Sequence, residues 1–115
     1  MALIIDLNQE SAYWTLTLIG DLDYGECSTF RMNIDRILKN APPASIVALS
    51  GIEYLDSSGL GLLLSLSKEY GQSGGKLVLV TNETVDNILS LTRLNGIFAT
   101  APQLDQALQM VDNSL

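Results

Sequence analysis

The sequence predicts an α/β fold with a mixed β-sheet, a β-hairpin followed by parallel crossovers, and about four α-helices. Three observations carry this. Two N-terminal runs of strand composition flank a short polar segment, Asn8-Gln9-Glu10. Two unbroken apolar runs, Ile46-Val47-Ala48-Leu49 and Leu77-Val78-Leu79-Val80, have the character of strands buried on both faces. The segments between and after them repeat apolar residues at helical spacing.

Taken in order, residues 2–7 and 12–19 form the hairpin, turning at Asn8-Gln9-Glu10. In its second strand Trp14, Leu16 and Leu18 alternate with Tyr13, Thr15 and Thr17, one face dry and one wetter, and the strand ends at Gly20. The first helix covers 26–40, with Cys27, Phe30, Ile34, Ile37 and Leu38 on its apolar face and Ala41-Pro42-Pro43 as its stop. A buried strand over 45–49 leads to a second helix over about 58–73. Gly74-Gly75 then turns the chain into a strand over 76–81. A third helix places Val85, Ile88, Leu89 and Thr92 on one face and ends at Asn95-Gly96, where glycine suits a left-handed cap. A fourth follows Ala101-Pro102, with Leu104, Ala107, Leu108 and Val111 as a narrow apolar stripe.

A chain of 115 residues suits one domain, 1–115, and 47% apolar with 17% charged residues implies a packed core. Thirteen acidic against six basic residues give a charge of −7, which nucleic acid and anionic membranes repel, so neither is an expected partner. The single cysteine cannot close a disulfide within the chain, no secretory pattern opens it, and the apolar window 60–66 is far short of the roughly 20 residues that span a bilayer. A cytoplasmic protein is expected. With no histidine there is no Ser-His-Asp or Cys-His nucleophile pair, no imidazole base and almost no ligand set for zinc. No metal, no cofactor and no enzymatic activity of its own are expected.

If the strands ending near Gly20, Ser50 and Thr81 are parallel, their C-terminal ends share one sheet edge, where open α/β folds place their sites. Three loops would then converge there, 21–25, 51–58 and 82–84. They carry Asp21, Asp23, Glu53, Asp56 and Glu83, with Glu26 adjacent, and no Lys or Arg occurs within 20–30 or 40–67. Asp21, Asp56 and Asn82 also suit turn and helix caps.

Asp56-Ser57-Ser58-Gly59-Leu60-Gly61 lies at a helix N-terminus, where unpaired backbone N–H groups and the helix dipole favour a negative group. A serine there can accept a phosphate, or serve only as an N-cap. Gly59 and Gly61 match neither the Walker nor the dinucleotide pattern, and close packing of the helix on a strand accounts for both. Cys27, on the apolar helix face, reads as a small core residue rather than a reactive thiol.

Gly20-Asp21-Leu22-Asp23, the run from Ser45 into Asp56-Ser57-Ser58-Gly59-Leu60-Gly61, Gly74-Gly75-Lys76-Leu77 and Leu94-Asn95-Gly96-Ile97-Phe98 together resemble bacterial anti-sigma factor antagonists of the STAS domain family, over essentially the whole chain. The resemblance implies a single STAS-like domain acting as a partner-switching regulator. Unphosphorylated, it would bind an anti-sigma factor that is also an ATP-dependent serine kinase, releasing the sigma factor. Phosphorylation would break the complex, and a metal-dependent serine phosphatase would restore it. By motif position the acceptor is Ser58, with Ser57 as second choice. Asp21, Asp23, Asp56, Ser57, Gly59, Leu60 and Asn82 are the expected partner-contact positions. Ala48 stands where the family often has a polar residue, a departure that leaves the choice of kinase open.

Three other readings are distinguishable. A STAS subunit of a lipid-transport ABC complex, or a regulator of a non-sigma target, keeps the fold; the first often lacks an acceptor serine. A response-regulator receiver would use Asp56 as acceptor and Asp21 with Asp23 for magnesium, but no lysine follows the 76–81 strand. An enzyme would need carboxylates as its general base, and no element carries a suitable pair.

Overall fold

The computed structural model describes residues 2–112, folded as a five-stranded mixed sheet with strands in sequence order. The strands are β1 (Ile4–Gln9), β2 (Trp14–Leu22), β3 (Ala44–Leu55), β4 (Lys76–Val80) and β5 (Ala99–Ala101). β1 is antiparallel to β2, and β2 through β5 are parallel. The helices are α1 (Cys27–Asn40), α2 (Ser57–Ser73), α3 (Glu83–Leu91) and α4 (Leu104–Asp112). A single 3₁₀ turn, Tyr24–Glu26, precedes α1.

The larger core joins Leu16 and Leu18 of β2, Phe30 and Ile37 of α1, Leu63 and Leu66 of α2, and Val85 and Leu89 of α3. The opposite sheet face, from Ala44, Ile46, Val78 and Val80, is covered by Ala107 and Val111 of α4. The Ile46–Leu49 run is buried throughout, as expected of a strand inside a sheet covered on both faces. Leu104, by contrast, is 44% exposed and falls outside the α4 stripe predicted for it.

Several boundaries, and one strand absent from the sequence reading, differ from what the sequence predicts. The hairpin turns after Gln9, where Glu10 N–H donates to Tyr13 O at 3.0 Å; polar Asn8 and Gln9 belong to a wet edge strand. β2 and β3 both run past their predicted ends, pairing through Leu22↔Leu55 beyond the point where β4 stops opposite Ala48. Gly20, at φ 109°, sits at a register shift in this two-stranded extension. Its Asp21 and Glu53 read as loop residues because the ribbon is half-solvated. α3 ends at Leu91 and the left-handed residue is Arg93, φ 60°, not Gly96; Leu94 N–H closes the end on Leu89 O at 2.7 Å. Finally, β5 has only three residues, Ala-Thr-Ala, too short for a composition signal.

At the end of the sheet where β3 begins, the buried Tyr70 hydroxyl donates to Pro42 O at 2.9 Å and shares a 2.6 Å hydrogen bond with Ser45 Oγ. Tyr70→Phe leaves both groups buried without that partner and is expected to cost about 1–2 kcal/mol in urea unfolding. Burial pushes the Tyr70 hydroxyl above the ordinary tyrosine range, partly opposed by the Ser45 bond. The folded chain therefore holds this proton more tightly than the unfolded one. The contribution is intact below about pH 10 and is lost as pH rises through the folded-state value, a loss that Tyr70→Phe should lack.

Candidate functional site

The polar residues after β3 are organised by Asp56. Its backbone is extended (φ −99°, ψ −179°) and its carboxylate Oδ1 accepts from Ser58 N–H at 2.9 Å and Gly59 N–H at 3.1 Å, capping α2. The other oxygen, Oδ2, accepts from Tyr24 N–H at 3.0 Å, and Asp56 N–H donates to Leu22 O at 3.3 Å. One carboxylate thus ties the start of α2 to the 3₁₀ turn after β2. Asp56, not Ser57 or Ser58, is the helix cap, and the helix begins at Ser57, one residue earlier than predicted.

Asp23 is half-buried and its Oδ1 accepts from Glu26 N–H at 3.3 Å, capping the 3₁₀ turn. Asp21 lies in the β2–β3 extension, in register with Tyr54. Ser57 is exposed and Ser58 half-buried. Gly59 and Leu60 are buried, so these two expected contact positions hold the helix on the core instead of offering surface. A Cβ on Gly59 would meet Leu22 Cγ at 2.6 Å and Leu22 O at 2.9 Å. Close packing therefore explains Gly59. It does not explain Gly61, where a Cβ would find nothing within 4 Å.

The predicted three-loop convergence divides in two. Segments 21–26 and 56–59 meet, as above. Asn82 instead caps α3 through Val85 N–H at 2.9 Å and donates from Nδ2 to Ser50 O at 3.1 Å and Ile52 O at 2.8 Å. Its side chain closes the β3 edge that β4 leaves open.

A groove of about 340 Å³ runs between the start of α1 and the start of α2, with Tyr24, Cys27 and Arg31 on one wall and Ser57, Ser58 and Gly61 on the other. Tyr24 is 80% exposed, and Met32, lining an adjoining groove with Arg31, is 68% exposed. None of Tyr24, Arg31 and Met32 was singled out from sequence. Arg31 lies just outside the cation-free window 20–30, and only the helical spacing of positions 27, 28, 31, 32 and 35 could have placed this stripe beside the serines.

Cys27 is only half-buried, packing on the edge of the larger core while lining the groove, and its Sγ donates to Asp23 O at 3.3 Å. Burial raises its pKa above the ordinary thiol value, and the charges of Asp56 and Asp23 raise it further against a lowering by Arg31. Little thiolate forms near neutrality. Alkylation by iodoacetamide at pH 8 is expected to be several-fold slower than for a free cysteine and to recover in urea; equal rates would contradict this protonated environment.

The STAS domain family model matches residues 5–107 of this chain. The chain belongs to the STAS domain family. It is 29% identical over 107 residues to an anti-sigma F factor antagonist of Paenibacillus polymyxa, covering 91% of this chain and 89% of that protein. A crystal structure of an anti-sigma factor antagonist from Mycobacterium paratuberculosis superposes with TM-score 0.86 at 24% identity, over 96% of this chain and 95% of that one. The Bacillus cell fate determinant SpoIIAA in its phosphorylated form matches with TM-score 0.73 at 22% identity, over 94% of this chain and 99% of that one. At these identities the two structures establish a shared fold, that of a STAS domain. Among the described residues of this STAS chain, no helix is long and apolar enough to cross a membrane.

Proposed function

We propose that this STAS chain, acting as one unit over 1–115, is a cytoplasmic anti-sigma factor antagonist and not an enzyme. Unphosphorylated, it binds an ATP-dependent serine kinase that doubles as the anti-sigma factor, and phosphorylation of Ser58 ends that binding. The observation that carries the reading is the division of labour at α2. Asp56 takes the capping role, so the serines at 57 and 58 line an open groove without being needed to start the helix. Supporting it are the family membership and the name of the 29% identical relative.

In the switching step the Ser58 Oγ attacks the γ-phosphorus of ATP. The new Oγ–P bond forms as the bond to the bridging oxygen of ADP breaks, and the hydroxyl proton passes to a base of the kinase. The product adds about −1.5 to −2 charges beside Asp56 and Asp23, repelling an acidic partner surface and spoiling an apolar fit. A metal-dependent serine phosphatase reverses it. Asp21, Asp23 and Ser57 flank the acceptor as partner contacts, joined by Tyr24. Asp56 acts by holding the backbone.

The test is intact-mass spectrometry with site mapping after incubation with ATP, magnesium and each serine kinase of the anti-sigma type from the same genome. One phosphate on Ser58, lost in Ser58→Ala, is expected. No phosphate with any of them overturns the switch.

A further inference from the structure

We propose that Arg31 holds the phosphate of phosphorylated Ser58 across the groove, bridging α1 to α2 in the switched-off state. This rests on the reading of Ser58 as acceptor and adds a receiving residue for the charge. Arg31 stands on the wall opposite Ser57 and Ser58, and it is the cationic residue lining that groove. Its position near this end of α1 is also felt at Cys27, whose thiol senses Arg31 together with Asp23 and Asp56.

The remaining charge nearby is acidic. Both oxygens of Asp56 are engaged by the amides of Ser58, Gly59 and Tyr24, whereas Asp23 spends only Oδ1, on the amide of Glu26, so its second oxygen is a competitor for Arg31. Asp35, one turn along α1, lines the adjoining groove with Arg31 and is the other competing carboxylate. A phosphate offers Arg31 more charge than either and a bidentate set of oxygens suited to a guanidinium. Gly61, with open space where a side chain would stand, leaves the path between the walls clear. The bridge would cover the groove beside Tyr24 and Cys27, so phosphorylation removes binding surface as well as adding charge.

The test uses the full chain with phosphoserine incorporated at position 58 during translation, which needs no kinase. The second ionisation of the phosphate is followed by ³¹P NMR in the otherwise unchanged chain, in Arg31→Gln and in Arg31→Lys. Asp35 and the Cys27 thiol line the groove and its neighbour, Asp23, Glu26 and Asp56 belong to the adjoining caps, and all five are identical in the three chains, so a difference belongs to position 31. The ionisation is expected about half a unit or more lower with Arg31 in place than in Arg31→Gln, with Arg31→Lys lying between, and the gap should shrink in 1 M salt. Superimposable titrations of the unchanged and Arg31→Gln chains overturn the bridge, as does a shift seen with phosphoserine at 57 but not at 58. Failure of the kinase mapping would overturn the acceptor reading while leaving this titration to stand or fall alone.

Discussion

Replacing Ser58 by Asp is expected to weaken binding to the cognate anti-sigma kinase at least about hundredfold, roughly 2.8 kcal/mol, while leaving the fold intact. A fixed negative charge on the rim of the groove meets any acidic partner surface as a like charge and must lose its hydration for the contact to close. The fold should not notice. A carboxylate in the first turn of α2 gains roughly 0.3–1 kcal/mol from the helix dipole, and repulsion from Asp56 cancels a similar amount. Isothermal titration calorimetry reads the first expectation and far-UV circular dichroism with urea unfolding reads the second, with Ser58→Ala as the variant that keeps binding. Retained affinity would refute the charge mechanism, and lost helix would show that Ser58 supports structure.

Gly59→Val should be the most damaging single change near the site, with an expected loss of about 3 kcal/mol in urea unfolding. A Cβ there would stand 2.9 Å from the backbone oxygen of Leu22 and 2.9 Å from Leu55 Cδ1. Leu22 O cannot retreat freely, because it accepts from Asp56 N–H, so relieving the clash disturbs the residue that caps α2. Gly61→Ala, two residues on, is the internal control. It faces open space, and replacing glycine in an exposed helix position should stabilise by about 0.5–1 kcal/mol. Opposite signs at 59 and 61 would separate steric approach from helix propensity; equal effects would refute the packing argument.

Much of the fold was legible in advance. The apolar runs at 46–49 and 77–80 and the helical repeats of α1, α2 and α3 survive because burial on a covered sheet and along one helix face leaves a periodic signature. The serine-bearing helix start was legible too, since Asp56-Ser57-Ser58-Gly59 follows a buried strand. Elements whose residues meet water on one side were not. The extension of β2 and β3 past Gly20 and Leu49 carries Asp21, Gly51 and Glu53, residues that composition assigns to loops, and it is strand only because the two segments pair with each other.

By itself the sequence determined the alternation of strands and helices, the acidic balance, the absence of histidine chemistry and the family motifs, because each is carried by local composition or spacing. Which residues share the site is a different kind of question. The tie from Asp56 to the 3₁₀ turn, the removal of Leu60 into the core, the diversion of Asn82 to the edge of β3 and the placing of Arg31 across from Ser57 and Ser58 were decided by tertiary structure alone. Each depends on groups on separate elements brought within reach by packing: the Tyr24 amide 32 residues from Asp56, and the Ile52 carbonyl 30 from Asn82. Such pairings fix hydrogen-bond partners and buried faces, and no local spacing encodes them.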